Sequence, residues 1–344
     1  MKPPLVSVVI PVRNEGAWIR RCLASVLAQD YPADRMEIIV VDGMSDDGSV
    51  AVLEELTRSE PLLKVYDNPG RIVPTGLNIA LRRARGEVIA RVDAHTDLDP
   101  SYLSTSVKLL LDSGAENVGG PMRCKGGGRI GDAIALAMAS RFGVGSYFHY
   151  AERAAECDTV YMGTWPRRVF ERVGLFDEEL VRNQDDELNY RIRKAGGRVL
   201  VFPEIRSSYQ NRQSLGALAR QFFEYGVWKV RVLQKHPRQM SVRHFLPPLF
   251  DLTVLGAALA ALVWPAAGLL SISAVTAYAV FIAGVALVEG RGVVGRVLLF
   301  SSLAVMHHAW ALGFLWGLLR FARRWFARAG EVPRLDSEAV GTGS

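Results

Sequence analysis

Three short stretches carry the side chains that could do chemistry: "PVRNE" (Pro11 to Glu15), "DGMSDDGS" (Asp42 to Ser49) and "DAHTD" (Asp93 to Asp97). Each follows an apolar run, and in the last two an Asp comes first. An Asp placed after each of two strands can hold a divalent cation and bind ribose or uracil groups. That suits a nucleotide diphosphate better than a naked anion, which the acids would repel. A plain turn-capping role for Asp42 is the competing reading. Asp97 and Asp99 read as solvated loop acids or caps before "PSYL". The commoner phosphate cradles are missing: there is no G-x-x-x-x-G-K-[ST], and the G-x-G-x-x-G of Gly126, Gly128 and Gly131 follows "PMRCK" instead of the first strand, so it reads as a loop.

The elements that must position these loops are legible. "VSVVI" (Val6 to Ile10), "EIIVVD" (Glu37 to Asp42), "LLKVYD" (Leu62 to Asp67) and "EVIARVD" (Glu87 to Asp93) are the continuous apolar runs that parallel strands buried on both faces require. Between them lie stretches with helical spacing, such as Ala17 to Ala28 and Ser49 to Thr57, the latter with Ser49 as N-cap. Strand and helix in alternation predict an α/β, Rossmann-like doubly wound sheet. Its ligands would sit beyond the carboxyl ends of the strands, where the three polar loops converge.

The 344 residues are 49% hydrophobic and 22% charged, with a mean hydropathy of +0.13. That is too apolar for an ordinary soluble protein and too charged for a wholly embedded one, so the two kinds of sequence must be segregated. Leu252 to Val288 runs 37 residues without a charge and Val297 to Leu319 another 23, each beyond the roughly 18 that argue for a membrane segment. A purely soluble protein, a disordered chain and a many-pass transporter are excluded. The first run suits a helical hairpin turning near Trp264-Pro265, with Phe245 to Asp251 lengthening its first arm. The second run either crosses, leaving Arg320, Arg323, Arg324 and Arg328 outside, or lies in the interface. His307 and His308 fall at its midpoint, where ionisable groups are suspected of function. From Arg206 to His244, eight basic residues face the single acid Glu224, a band that reads as the cytoplasmic, anionic-lipid-facing flank of the anchor. No nucleic-acid motif accompanies it, so no nucleic-acid partner is expected. Cys22, Cys124 and Cys157 are odd in number and widely spaced, as reduced cytosolic thiols would be. The apolar run in "MKPPLVSVVIPV" is too short for a signal peptide.

In order along the chain, "SVVIPVRNE", "IIVVDGMSDDGS", "NPGRIVPTGLNIAL", "RVDAHTD", "GLFDEELVRNQDDELNYRIRKAGG" and "QFFEYGVWK" resemble family 2 glycosyltransferases, whose catalytic domain has the GT-A fold. The pairing of "VDAH" with "NQDDELNYRIRKAGG" is most similar to the succinoglycan-biosynthesis branch of ExoA-type enzymes. The resemblance covers roughly Pro4 to His236. It implies that Pro11, Asn14, Glu15, Asp42, Arg71, Asn78, Asp93 and Gly120 contact the nucleotide sugar, and that Asp93 and His95 occupy the family's D-x-D metal position. Imidazole in place of the last carboxylate favours Mn2+ over Mg2+. Registering "QDDELNYR" through Arg191 places Asp185 on the base that an inverting transfer needs, with Asp186 beside it and Gln184 where the family usually has Glu. Gly163, Thr164 and Trp165 fall in the acceptor region. Processive members carry Q-x-x-R-W, but Gln221 here is followed by Phe222, Phe223, Glu224 and Tyr225, so single addition is favoured, with Gln221 and Tyr225 near the acceptor. Leu218, Phe222, Tyr225 and Lys229 share a helical face that lies along the membrane surface or packs on a core.

The domains expected are a GT-A catalytic domain over 1–212, a basic interfacial helix over 213–244, two to three membrane helices over 245–328 and a polar, disordered tail over 329–344. The expected activity moves a hexose, with UDP-glucose the favoured donor, onto a polyprenyl-diphosphate-linked sugar in exopolysaccharide or cell-surface glycan synthesis. It would use Mn2+ or Mg2+ and work at the cytoplasmic face of a multi-pass inner-membrane protein, alongside other polysaccharide-assembly enzymes. A polyprenyl-phosphate glycosyltransferase, a processive synthase and a non-catalytic membrane scaffold are the alternatives.

Overall fold

The computed structural model describes residues 2–325 and 332–335. The chain divides into two compact units: Met1–Arg123 with Ser146–Tyr209 and Gly330–Ser344, and Cys124–Gly145 with Gln210–Ala329. The detachment of Cys124–Gly145 from the first unit is not anticipated by a single boundary at residue 212.

The first unit begins β1 (Val6–Val12), α1 (Ile19–Leu27), β2 (Met36–Asp42), α2 (Ser49–Ser59), β3 (Leu63–Asp67), α3 (Val73–Arg83) and β4 (Val88–Arg91). It continues through β5 (Thr96–Leu98), α4 (Tyr102–Ser113) and β6 (Asn117–Gly120). One sheet runs in the order β3, β2, β1, β4, and all three junctions are parallel. The Val/Ile runs fill its centre: Val8, Val9, Ile10, Ile38 and Ile39 are buried because helices cover both faces. After the crossover, β9 (Tyr161–Pro166) lies antiparallel between β4 and β6. The order β1, β4, β9, β6 therefore makes the sheet mixed, with the parallel half carrying the loops that matter. The strand β8 (Ala155–Glu156), helices α6 (Arg168–Val173) and α7 (Gln184–Lys194), and strands β10 (Val199–Val201) and β11 (Ser207–Gln210) complete the series. Strand β11 pairs antiparallel with β5.

Helix α2 starts at Ser49, and its N-cap is Gly48 at φ +93°, not Ser49. The Ser49 hydroxyl is occupied instead: it donates to Asp47 at 2.5 Å and accepts from the Glu15 amide at 2.9 Å. Residues 332–335 correct the expectation of a disordered tail, since the Pro333 carbonyl accepts from the Leu175 amide at 2.8 Å and Leu335 is buried in the core. The apolar residues Val332, Pro333 and Leu335 supply surface to bury. The rest of the expected tail lies outside the described residues.

The second unit holds β7 (Cys124–Lys125), α5 (Arg129–Ala139), α8 (Leu215–Lys235), α9 (Val242–Ala260), α10 (Ala266–Glu289) and α11 (Gly292–Arg320). Helices α10 and α11 are long and apolar enough to cross a membrane by length and composition. Helices α9 and α10 form the expected hairpin around Trp264-Pro265, with Ser271 Oγ donating to the Val254 carbonyl at 3.1 Å. Helices α8 and α11 meet backbone to backbone. A Cβ on Gly313 would come within 2.1 Å of the Phe223 carbonyl oxygen, one on Gly226 within 2.3 Å of that of Trp310, and one on Gly317 within 2.7 Å of that of Val227. Small residues here allow an approach that side chains would block.

Candidate active site

The loop after β1 and the loop after β2 are zipped together at the sheet rim. Asn14, at φ +56°, receives on its carboxamide oxygen the Asp46 amide at 3.0 Å and gives its own amide to Ser45 Oγ at 2.9 Å. The Gly16 amide donates to Asp47 at 2.9 Å. Asp42 is buried and caps its own turn, accepting from the Ser45 amide at 2.9 Å and hydroxyl at 2.6 Å. The turn-capping reading of Asp42 is thus the geometry present. Pro11 lies half-buried at the carboxyl end of β1, and the Arg71 carbonyl accepts from Arg13 at 2.7 Å while Arg71 itself is exposed at φ +58°.

Asp93 follows β4 and is held on one oxygen by Arg91, through Nε at 2.9 Å and Nη2 at 2.8 Å. His95, two residues on, is fixed by Glu15 from the β1 loop, whose carboxylate lies 2.9 Å from Nδ1. Tyr209 meets the same ring edge-on at 5.0 Å. A carboxylate can only accept, so Nδ1–H points to Glu15 and Nε2 is the ring nitrogen left to face a metal, as in the carboxylate–histidine pairs that orient metal ligands. Asp93 and His95 therefore fit a divalent cation as donors from one loop. Among the described residues no group of three or more His, Cys, Asp and Glu is gathered as a metal cluster, so a bound diphosphate would have to complete the shell.

Asp185 stands in the first turn of α7, which is preceded by Asn183 at φ +63°. Burial pushes its carboxyl above the ordinary range; Arg91 opposes that, and the negative charges of Asp186 and Asp93 add to it. The Asp186 amide donates to Asp185 Oδ1 at 2.8 Å. One buried guanidinium, Arg91, thus acts on both the Asp93–His95 loop and the acid on α7: burial disfavours its charge, but Asp93 and Asp185 outweigh that. Glu187 takes no part, being buried and bidentate to Arg191 at 2.7 and 2.9 Å, while Arg191 also holds the Val173, Gly174 and Leu175 carbonyls. Asn189 is tied to Asn117 at 2.7 Å and Thr159 at 2.8 Å.

Two expected contacts, those of Asn78 and Trp165, are corrected. Asn78 is wholly buried, and its carboxamide is spent on the Phe176 carbonyl at 2.9 Å, the Phe176 amide at 2.9 Å and Glu178 at 2.8 Å; it pins the 176–178 loop to α3 instead of reaching a nucleotide. At Gly120 packing alone already requires glycine, because a Cβ there would lie 1.9 Å from the Ile205 carbonyl oxygen. Trp165 is 1% exposed and packs against Phe170 and Phe176, so it is core and not acceptor surface. Replacing it (Trp165→Ala) is expected to cost about 3–5 kcal/mol of stability by urea unfolding, the range for emptying a buried aromatic site. Gln221 is buried in the second unit and donates to the Tyr225 hydroxyl at 2.8 Å. Asp97 pairs with Arg21, and Asp99 accepts from the Ser101 amide at 3.1 Å just before α4, as loop acids and caps do. The three thiols are held near 12 by burial, far from reactive thiolates.

Arg91 is the candidate site residue that sequence alone missed; Glu15 and His95 were both expected there, but not their pairing with each other. Only one signal pointed to Arg91: a lone Arg inside the apolar run "EVIARVD" must find acids when buried. Removing one acid next to Asp185 should be visible in kinetics. We expect Asp186→Asn to move the acidic limb of the pH–rate profile to lower pH, because the raising influence of a neighbouring negative charge is lost; an unmoved limb would separate the two carboxylates.

A mixed sheet in the order β3, β2, β1, β4, β9, β6, with an acid-and-histidine loop after its fourth strand, is the architecture of the GT-A fold. Residues 7–175 match the model of glycosyl transferase family 2, and this segment is a family 2 glycosyltransferase domain. Over 92% of its length the chain is 29% identical to the succinoglycan biosynthesis protein ExoA of Rhizobium meliloti, covering 96% of that protein. It is 27% identical over 67% of its length to a Methanococcus voltae dolichyl N-acetyl-alpha-D-glucosaminyl phosphate 3-beta-D-2,3-diacetamido-2,3-dideoxy-beta-D-glucuronosyltransferase, 74% of which is covered. Among solved structures, the mannosyltransferase PcManGT of Pyrobaculum calidifontis, in complex with GDP-Man and Mn2+, shares the fold at a TM-score of 0.58 and 20% identity. The match covers 92% of this chain and 88% of that one.

Proposed function

We propose that this glycosyltransferase is an inverting, metal-dependent enzyme that adds a single hexose from a nucleotide diphosphate sugar to a polyprenyl-diphosphate-linked sugar in exopolysaccharide or cell-surface glycan synthesis. UDP-glucose is the first donor to test. The observation that carries the reading is the joint hold of Arg91 on Asp93 and, through its charge, on Asp185. It puts the cation loop and the acid of α7 within one electrostatic cluster. Asp93 and His95 Nε2 would hold the cation, which when bound offsets charge on the departing diphosphate. Asp185, its affinity for a proton raised by burial, would take the proton from the acceptor hydroxyl as that oxygen attacks the anomeric carbon. The names of the Rhizobium and Methanococcus relatives support glycan assembly and a lipid-linked acceptor, and the GDP-Man and Mn2+ of the Pyrobaculum enzyme support a nucleotide donor with a cation. The two long apolar helices support work at a membrane; the catalytic unit would lie on the cytoplasmic side, where the basic band from Arg206 to His244 would meet anionic lipid.

The test is a panel of nucleotide sugars given to the purified protein with and without lipid-linked acceptor, with released nucleotide as the readout. Acceptor-stimulated release from one donor supports the reading. Transfer onto bare polyprenyl phosphate would move the assignment to a lipid-phosphate sugar synthase, and no release from any donor would favour a scaffold.

A further inference from the structure

We infer that the helical unit enters only one leaflet of the bilayer: α9 and α10 form a re-entrant hairpin, and α11 lies in the membrane surface instead of crossing. This rests on the proposed work at a membrane and specifies how the chain meets it.

Three observations fix the depth. The first is an ion pair, Asp251 with His308 Nδ1 at 2.8 Å, whose side chains are 18% and 42% exposed. A charged or strongly polar pair open to that extent is costly in hydrocarbon, so it marks the level of the headgroups. The second is the backbone of residue 142, which is not helical and whose carbonyl lies 2.8 Å from His307 Nε2. Irregular backbone at an exposed position does not sit at membrane depth, yet His307 is the midpoint of the apolar run in α11. The third is α8. It carries Arg220, Glu224, Lys229 and Arg231 and packs along α11 in the same direction, Phe223 by Gly313, Val227 by Gly317, and Gln234 donating to the Phe321 carbonyl at 2.9 Å. These four charges, Lys229 and Arg231 among them buried, make it costly for α8 to accompany α11 through a bilayer.

With Asp251, His308 and the adjoining Tyr278 at the headgroup level, what remains of the hairpin is short. From Asp251 to the end of α9, and from Tyr278 back to the start of α10, the arms reach about 14 to 18 Å at helical rise, against about 30 Å of hydrocarbon. The tip residues Leu262, Val263 and Trp264 are 84%, 90% and 68% exposed and form the apolar wedge that one leaflet would cover. Helix α11, at about 44 Å, is longer than a crossing needs, and Leu312, Trp316 and Leu319 give it an exposed apolar stripe opposite the buried Gly313, Phe314 and Gly317. In this arrangement Arg320, Arg323 and Arg324 stay on the same side as Lys235 and Arg238 at the end of α8, and the positive-inside tendency is obeyed.

The test uses the full chain in sealed, sided membrane vesicles with the exposed-site substitutions Val263→Cys and Ala322→Cys. A membrane-impermeant maleimide is applied from each side, and labelling is read on the peptide carrying each new thiol. The inference expects Ala322→Cys to be labelled only from the side that also labels a Lys125→Cys control, and Val263→Cys to be protected from both sides until detergent is added. Labelling of Val263→Cys from the far side would make the hairpin a two-pass anchor, and labelling of Ala322→Cys from the far side would make α11 a crossing helix; either overturns the inference. A chain that does not sediment with vesicles at all overturns the membrane reading itself, which separates the two failures.

Discussion

Asp185→Asn is expected to lower sugar transfer by about 100-fold or more while leaving affinity for the nucleotide sugar nearly intact. The amide keeps the shape and hydrogen-bonding reach of the carboxylate but cannot take a proton. Two features make this position sensitive: burial raises its proton affinity, and Arg91 keeps that rise in check. Asp186→Asn should be milder, because one residue along α7 turns the side chain about 100 degrees away. The pair of mutants therefore also tests the register through Arg191. A dead Asp186→Asn beside an active Asp185→Asn would shift it by one. Near-normal transfer by both would place the base elsewhere, and Glu187 would be a poor substitute because both its oxygens are committed to Arg191. Binding by calorimetry alongside initial rates separates lost chemistry from lost folding.

Chelation is expected to have the second large effect, abolishing turnover, with Mn2+ restoring it better than Mg2+. The preference follows from His95, an imidazole held by Glu15 with Nε2 left as donor. His95→Asp should move the preference toward Mg2+. Direct Mn2+ binding in the presence of nucleotide, followed by electron paramagnetic resonance, gives a readout independent of rate: weakened binding in His95→Ala and in Asp93→Asn is predicted. Full activity in excess chelator would remove the cation from the account, and an unchanged preference in His95→Asp would remove His95 from the pair.

Much of the fold was legible because local pattern and tertiary role agree in it. "VSVVI", "EIIVVD" and "EVIARVD" are apolar throughout because both faces of the sheet are covered, so the parallel order and the rim loops follow. The hairpin turn at Trp264-Pro265 was legible because a long uncharged run must reverse somewhere, and Pro265 suits the start of the second helix, where its missing N–H leaves no bond unmade. Where reading failed, long-range contacts decided. Asn78 and Trp165 look like site residues in their motifs, yet Asn78 is claimed by Phe176, 98 positions away, and Trp165 is claimed by the core cluster of Phe170 and Phe176. The insertion of Cys124–Gly145 into the helical unit has no local signature either, since helix α5 has ordinary amphipathic sequence. Arg91 was passed over as one charge in a strand, although it touches Asp93 and acts on Asp185.

The most direct test of the central claim is a stoichiometric one. Nucleotide released and sugar gained by a lipid-linked acceptor are measured together for the native chain, Asp185→Asn and Asp93→Asn, with the anomeric configuration of the product determined by nuclear magnetic resonance. The account predicts one nucleotide per sugar transferred, inversion at the anomeric carbon, and loss of both signals in each variant. Retention of configuration, or full transfer by Asp185→Asn, would contradict it.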